Sequence, residues 1–274
     1  MNTKISFFVL MIAVLSLTFV ACDDNDKQEF GPNEKGSLTL EFDNIVGNQD
    51  LQLETGSYTN ASGEQFSINM FQYYISNIKL KTEEGKEYAI PQDSSYFLVR
   101  ENVKTSHEIT LHNIPAGNYT EVSFVIGVDS LRNTMDPSKR KGVLDIGDEN
   151  TGKSMYWSWN SGYIFVRIEG TSPQSPQVED GQPIFFYHVG GFGGYSTPTI
   201  NNIRNKNLTF GKDAAEVRKD RNPSVHILVD AMKIFDGGNT ISIAKNPFSH
   251  FTTFSAKIAD NYVDMFTYDH IHND

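Results

Sequence analysis

Two of the seven histidines lie close together near the C-terminal end of the sequence, in the pattern His270-Ile271-His272. Side chains two residues apart on a β-strand point to the same face of the sheet. Two neighbouring imidazoles can bind one transition metal ion. The alternative is a structural or unfolded pair, since so short a pattern also arises by chance. We predict that His270 and His272 are metal ligands.

Two further histidines are candidates for the same site. His250 precedes a segment predicted to be helical, and an antiparallel return of the chain could bring it near His270 and His272. His188 ends an aromatic strand just before a glycine-rich loop, where its side chain could face a cavity. A single histidine in such a position is more often a strand or loop residue with satisfied hydrogen bonds. We predict that His270 and His272, with His250 or His188, bind one transition metal ion near the tryptophans.

Both tryptophans lie in the segment 155–163, Met-Tyr-Trp-Ser-Trp-Asn-Ser-Gly-Tyr. On a strand, Trp157 and Trp159 would share one face. They could form a layer of the core, because aromatic side chains contribute strongly to core stability. Two functional alternatives remain open for them: an aromatic surface that binds a ligand, and an oxidisable indole beside a metal.

Motifs of common enzyme classes are absent from the sequence. It contains no Gly-x-Ser-x-Gly, no His-Glu-x-x-His and no Walker lysine motif. The glycine-rich run 190–194 lacks a following lysine, and a loop with positive φ angles explains it better than a phosphate cradle. A calcium site built from Asp145, Asp148 and Glu149 lacks the alternating spacing of an EF-hand loop. We therefore predict that the protein is not an enzyme.

Residues 1–21 have the pattern of a lipoprotein signal peptide. Lys4 supplies a positive charge, an apolar run follows over 5–17, and Ala21 precedes Cys22, the single cysteine of the sequence. The apolar run is shorter than the roughly 20 residues that a membrane-spanning helix needs. An ordinary secretory signal is the alternative. We predict that Cys22 is acylated and that the lipid anchors the protein to a membrane.

Acidic residues follow Cys22 directly, in the run Asp-Asp-Asn-Asp over 23–26. Such a run resembles the surface-export signal of Bacteroidetes lipoproteins. This resemblance implies attachment to the outer membrane, either facing the periplasm or exposed on the cell surface. Residues 22–36 are polar and contain two glycines and a proline, which is typical of a flexible tether. We therefore predict a single folded domain over residues 37–274.

Composition and charge favour a globular protein that does not bind nucleic acid. Aromatic residues make up 12% of the 274 residues, whereas disordered chains are poor in them. The formal net charge is −11, and binding to phosphates would require a surplus of lysine and arginine on some face. A domain of this length buries enough surface to fold without a disulfide.

Hydrophobic and polar residues alternate over much of the predicted domain. This period of two is clear over 38–42, 66–70 and 74–80, and residues 83–86 resemble a hairpin turn. Many short strands separated by turn residues predict an all-β fold, namely a single antiparallel β-sandwich-like domain. The remaining predicted strands cover residues 88–90, 96–99, 108–111, 119–128, 155–168, 184–189 and 225–229.

Helix is a minor element of this prediction, with one or two short helices. The segment from Ser255 to Phe266 places Ile258, Tyr262 and Met265 on one face, as in an amphipathic helix. The segment from Asp213 to Lys219 is a second helix candidate.

Several segments, taken in order along the chain, are similar to a known family. They are residues 71–80, 114–119, 124–129 and 155–163, and the segment 258–266 followed by His270 and His272 is similar as well. Together they resemble the MbnP-like domain of methanobactin-associated periplasmic copper proteins and of many Bacteroidetes lipoproteins. The resemblance extends from about Ser37 to the end of the sequence.

The resemblance implies a secreted β-sandwich-like protein that binds copper through histidines, for metal acquisition or handling. In some relatives the site also contains a tryptophan that a dihaem peroxidase-like partner has oxidised to kynurenine. Trp157 and Trp159 match the tryptophan motif of the family, so either is a candidate for this oxidation. A metal importer is a second implied partner.

One alternative function needs no metal. An acidic, aromatic-rich domain on a lipid tether could be a cell-surface interaction module that binds a glycan or a neighbouring protein. Trp157, Trp159 or Tyr163 would then supply the contact surface, and their side chains would have to be exposed.

Overall fold

The computed structural model describes residue 31 and residues 33–148, 153–157 and 162–274. The predicted signal peptide, Cys22, Glu149 and Trp159 lie outside the described residues. Residues 31–274 form one compact unit. Its described strands are β1 (Lys35–Val46), β2 (Gln49–Asp50), β3 (Tyr58–Thr59), β4 (Gln65–Thr82), β5 (Glu87–Ala89), β6 (Tyr96–Arg100), β7 (Glu108–Pro115), β8 (Gly117–Ile126), β9 (Tyr156–Trp157), β10 (Gly162–Thr171), β11 (Val178–Glu179), β12 (Gln182–Gly190), β13 (Arg204–Thr209), β14 (Ala215–Val217), β15 (Ser224–Asp230), β16 (Phe248–Ser249) and β17 (Phe266–His272).

Helices are few and short in the described part of the chain. The longest is α3, which is followed directly by a 3-10 turn. The α-helices are α1 (Ser130–Asn133), α2 (Lys233–Asp236) and α3 (Thr253–Tyr262), and the 3-10 turns cover Gln92–Ser94, Lys104–Ser106, Pro137–Lys139, Gly142–Leu144, Lys153–Met155 and Val263–Met265. None of the described helices is long and apolar enough to span a bilayer.

The smaller of the two sheets has the strand order β17-β15-β1-β2, and β7 also pairs with β1. Most pairings in it are antiparallel. The exception is the pairing of β1 with β15, which run parallel from Thr39 opposite Ser224 to Ile45 opposite Asp230. Parallel neighbours require a long crossover connection, and here most of the domain lies between the two strands.

The larger sheet has the strand order β11-β12-β10-β4-β8-β13, with short strands added along it. Its longest strand, β4, pairs along one edge with β10 over 67–73 and then with β8 over 75–82, while β6 pairs along the opposite edge over 72–76. The register between β4 and β8 shifts near Asn77, which adopts a φ of 52°. Asparagine tolerates this left-handed conformation better than most residues.

The main core lies between the two sheets. Alternate residues of β1 are buried, among them Leu38, Leu40 and Phe42. The ring of Phe42 contacts Tyr73 and Phe124 of the larger sheet, with centroids 6.3 and 6.1 Å apart. The domain is therefore an all-β sandwich with a few short helices, and the fold prediction is confirmed.

A second apolar cluster lies on the other face of β4 and β10. Tyr73 of β4 belongs to the main core, whereas the neighbouring Tyr74 belongs to this second cluster. The cluster includes Leu144, Met155 and Trp157 from the segment between β8 and β10. This long connection therefore covers the outer face of the large sheet and brings Trp157 against it.

The two helix predictions have different outcomes. The helix predicted over 255–266 is present over 253–265, with Ile258, Tyr262 and Met265 buried on the inward face, and Phe266 begins β17. The prediction of a helix over 213–219 is wrong, because residues 215–217 form β14 and pair with β8. Ala215 and Val217, two residues apart, are both buried. Burial of every second residue is the pattern of a strand rather than that of a helix.

Glu64 is a buried carboxylate that connects two distant parts of the chain. Its side chain is only 6% exposed. It accepts hydrogen bonds from the Asn60 amide, the Ser242 hydroxyl and the backbone N–H groups of Ile243 and Ala244, at 2.7–3.0 Å. Burial alone would raise the pKa of Glu64, but these hydrogen bonds outweigh it and lower the pKa below its usual value.

Candidate functional site

His188 lies on the outer face of β12. Phe185 and Tyr187 of this strand point into the main core, so Phe186 and His188 point outward. The next strand, β10, places Arg167 opposite His188 and Glu169 opposite Phe186. The alternation that was visible in the sequence thus puts a half-buried imidazole next to charged residues of the neighbouring strand.

His250 reaches this surface because β16 pairs with β12. The two strands run parallel, with Phe248 opposite Phe186, and His250 follows directly. The His188 and His250 rings are 5.3 Å apart between centroids and nearly perpendicular. The ring of Phe186 contacts both, at 5.4 and 5.2 Å. A cavity of about 440 Å³ adjoins the pair and is lined by both histidines.

Trp157 lies on the other side of His250. The centroids of the indole and the His250 ring are 6.3 Å apart. Pairing of β9 with β10 places Trp157 opposite Gly162, and its side chain is only 7% exposed. Gly190 leaves room for the indole, since a Cβ there would lie 2.8 Å from Trp157 Cζ3. We call the group of His188, His250, Glu169 and Trp157 the outer-face cluster.

Glu169 determines which nitrogen of His188 is free. One carboxylate oxygen, Oε1, lies 2.6 Å from His188 Nε2 and 2.7 Å from the Arg167 guanidinium. Burial alone would raise the pKa of Glu169, but the bonds from His188 and Arg167 lower it to about 2. The ionised carboxylate only accepts, so His188 donates from Nε2. In neutral His188 the lone pair is therefore on Nδ1.

The surroundings of His250 favour its neutral form. Burial lowers the pKa of His250, and the nearby His188 lowers it further. Neutral imidazoles are the form that binds transition metals. The outer-face cluster thus offers two imidazoles that can bind a metal, with one of them oriented by a carboxylate. Sequence reasoning did not find Glu169, although the outward alternation along β10 was a usable signal.

His270 and His272 lie elsewhere, on β17 of the smaller sheet. Their Nε2 atoms are 2.9 Å apart, so both side chains do point to one face as expected for a strand. His226 of β15 pairs opposite His270, and the ring centroids are 4.7 Å apart. Asp269 Oδ2 lies 3.0 Å from His226 Nδ1 and 2.8 Å from His270 Nδ1. We call these four residues the β17 cluster.

The arrangement corrects one part of the sequence-based hypothesis. His188 and His250 come together with Trp157 on the large sheet, whereas His270 and His272 come together with His226 on the small sheet. The structure therefore does not bring His270 and His272 together with His250 or His188, as the predicted single site required. The physical reason is that β17 follows α3 and joins the edge of β15, so His270 and His272 lie on the outer face of the smaller sheet.

The residues suggested for a glycan-binding surface are mostly buried. Trp157 is 7% exposed and Tyr163 is fully buried. Tyr163 donates its hydroxyl hydrogen to the backbone carbonyl of Leu144. Neither ring can stack on a sugar, and Trp159 lies outside the described residues.

Two features of the loops also have structural explanations. Gly191, Gly193 and Gly194 adopt φ angles of 110°, 97° and 96°, so the glycine run is a loop that needs positive φ, as predicted. Asp145 of the calcium alternative accepts a hydrogen bond from the backbone N–H of Gly147, which closes a local turn.

Comparisons with known proteins identify one family. A model of the family MbnP matches residues 35–253. Among solved structures, MbnP from Methylosinus trichosporium is similar in fold, with a TM-score of 0.50 and 14% sequence identity over 80% of this chain and 82% of that chain. No curated protein is significantly similar in sequence.

Proposed function

Because this chain belongs to the MbnP family, we propose that it binds copper through His188 and His250 beside Trp157. The observation that carries this proposal is the contact between the two imidazoles, 5.3 Å apart between centroids, with the indole 6.3 Å from His250. All three residues lie within the stretch 35–253 that the family model matches. The β17 strand lies outside that stretch.

The chemistry of the donors fits copper. Imidazole is a ligand of intermediate softness, and copper is at the top of the affinity order of the divalent first-row metals. Glu169 holds Nε2 of His188, which is the usual role of a carboxylate behind a metal-binding histidine. Aromatic rings of Phe186 and Trp157 border the two imidazoles, so water has limited access to them.

Trp157 is our candidate for the oxidised tryptophan that the family resemblance implies. Its indole is next to His250. A dihaem peroxidase-like protein is the proposed partner for that oxidation, and a metal importer is the proposed partner for copper transfer. We further propose that the protein is a lipoprotein, anchored through Cys22 to the outer membrane. Its role would be copper acquisition or handling rather than catalysis.

The test is copper stoichiometry after extensive dialysis against a weak chelator. Purified residues 23–274 and the His188→Ala/His250→Ala variant would be loaded with Cu(II) and then analysed for bound metal. We expect the variant to lose one tightly bound copper per chain. The matched control is His112→Ala, which removes an exposed imidazole that bonds only to Ser37 Oγ among the described residues. Equal copper retention in the double variant and the unmodified protein would rule out the site.

Glu169 provides a second prediction for this site. The Glu169→Gln variant should bind copper about 10-fold more weakly, because loss of a carboxylate behind a metal-binding histidine typically costs 10–100-fold in affinity. The measurement is competition with a chromogenic copper chelator. Glu179→Gln is the control, since Glu179 lines the same cavity and has the same charge. Identical affinities for the two variants would show that Glu169 does not orient His188.

A further inference from the structure

A β-bulge in β17 produces the geometry of the β17 cluster. His226 pairs with His270 and Ile227 pairs with Tyr268, so Asp269 is the extra residue between them. A bulge places two successive residues of one strand opposite one residue of its partner. Tyr268 and Ile271 pack against the main core, whereas Asp269, His270 and His272 are exposed on the outer face. The bulge thus brings three side chains with metal-binding atoms to one side.

The hydrogen bonds within the cluster orient its imidazoles. Asp269 Oδ2 accepts from Nδ1 of both His226 and His270. In the neutral rings this leaves the lone pairs on the two Nε2 atoms. His270 Nε2 then faces His272 Nε2 at 2.9 Å. Metal-binding atoms of His226, Asp269 and His270 all lie within 4.8 Å of one another.

We propose that His226, His270 and His272 form a second metal site, with Asp269 as its orienting carboxylate. The ligand is a divalent transition ion of the zinc type, which combines three imidazoles with an open position for water. Tetrahedral zinc with Zn–N bonds of about 2.0 Å separates two nitrogens by about 3.3 Å, so the pair at 2.9 Å needs only a small side-chain movement.

Acidic neighbours and exposure to solvent suit the β17 cluster to a cation that exchanges with the solution. Asp43 Oδ2 lies 3.8 Å from His226 Nε2, and Glu41 pairs with His226 across the strands. The side chain of His270 is 46% exposed, so the site is open to solvent. An open site of this kind suits loading and release of metal at the surface, in contrast to the half-buried outer-face cluster. The proposal does not depend on copper binding at that cluster.

The test is calorimetric titration of Zn²⁺ into the purified protein and three variants. The unmodified protein and His188→Ala/His250→Ala should both bind zinc at the β17 cluster. His226→Ala/His270→Ala should bind there roughly 100-fold more weakly, and Asp269→Asn about 10-fold more weakly, in line with the cost of losing ligands and their orienting groups. His112→Ala, on the outer face of the same sheet, is the matched control and should leave affinity unchanged.

Each outcome has a defined meaning. Unchanged zinc affinity in both His226→Ala/His270→Ala and Asp269→Asn would overturn the proposal. Loss of this binding in His188→Ala/His250→Ala alone would also overturn it, since zinc would then occupy the outer-face cluster. If circular dichroism shows that His226→Ala/His270→Ala does not fold, the zinc affinity of the isosteric Asp269→Asn variant tests the proposal instead. Zinc-induced shifts of the imidazole NMR signals of His226, His270 and His272 in the unmodified protein provide the second readout.

Discussion

Replacing Glu64 by alanine is expected to destabilise the folded protein by about 4 kcal/mol, because each buried donor left without a partner costs about 1–3 kcal/mol. Four donors lose their acceptor in this variant, two of them backbone N–H groups of Ile243 and Ala244. The measurement is urea unfolding at pH 7, followed by circular dichroism. The matched control is Glu54→Ala, since the exposed Glu54 has no side-chain hydrogen bond among the described residues.

The effect of Glu64 should depend on pH in a defined direction. The pKa of Glu64 is lower in the folded protein than its usual value of 4.5, so the folded state favours the ionised form. This contribution is fully present above pH 4.5 and is lost as the pH falls below it through the folded-state pKa. The stability gap between the unmodified protein and Glu64→Gln should therefore narrow between pH 5 and pH 3, roughly the range of carboxyl titration. A gap that widens at low pH would contradict the assignment.

The second large effect is expected for Gly190→Ala. A Cβ at this position would lie 2.4 Å from the carbonyl oxygen of Tyr163 and 2.8 Å from Trp157 Cζ3. The backbone of β10 cannot move away without breaking its pairing with β12, so we expect a loss of about 3 kcal/mol, near the upper end for overpacking. The displaced indole should also change its contact with His250, which we expect to weaken copper binding.

Urea unfolding and tryptophan fluorescence test this prediction together. The control is Gly238→Ala, because a Cβ at Gly238 has no atom within 4 Å and the residue has no positive φ. We expect the control to unfold at the same urea concentration as the unmodified protein. Equal stability of Gly190→Ala and the control would mean that the close approach of β12 and β10 relaxes at no cost.

The sequence was informative wherever one strand face is buried. The alternation over 38–42 and 66–70 correctly predicted strands, because the inward residues of β1 and β4 form the core between the sheets. The segment 213–219 was misjudged because its residues favour a helix locally, while pairing with β8 buries Ala215 and Val217. Such tertiary contacts override the local secondary-structure propensity of a segment.

The candidate sites were only partly predictable. The spacing of His270 and His272 correctly predicted a shared face, because that geometry is local to one strand. Their partner His226 depends on the register between β15 and β17, and Asp269 reaches them only through the bulge. The contact between Glu169 and His188 likewise depends on the register between two strands, β10 and β12. Pairing register is a property of the whole sheet and is not encoded in the spacing of any one segment.

The parallel pairing of β1 with β15 has a consequence for the order of folding. Thr39 must meet Ser224 before β15 and β17 can join β1 in the small sheet, so this pairing carries a large loop-closure cost. Antiparallel neighbours closer along the chain, such as β4 with β6 or β10 with β12, have shorter loops to close and can assemble first. The edge of β1 that pairs with β15 is therefore among the last to be covered. Until then its edge stays open to chaperones, or to mispairing with other chains.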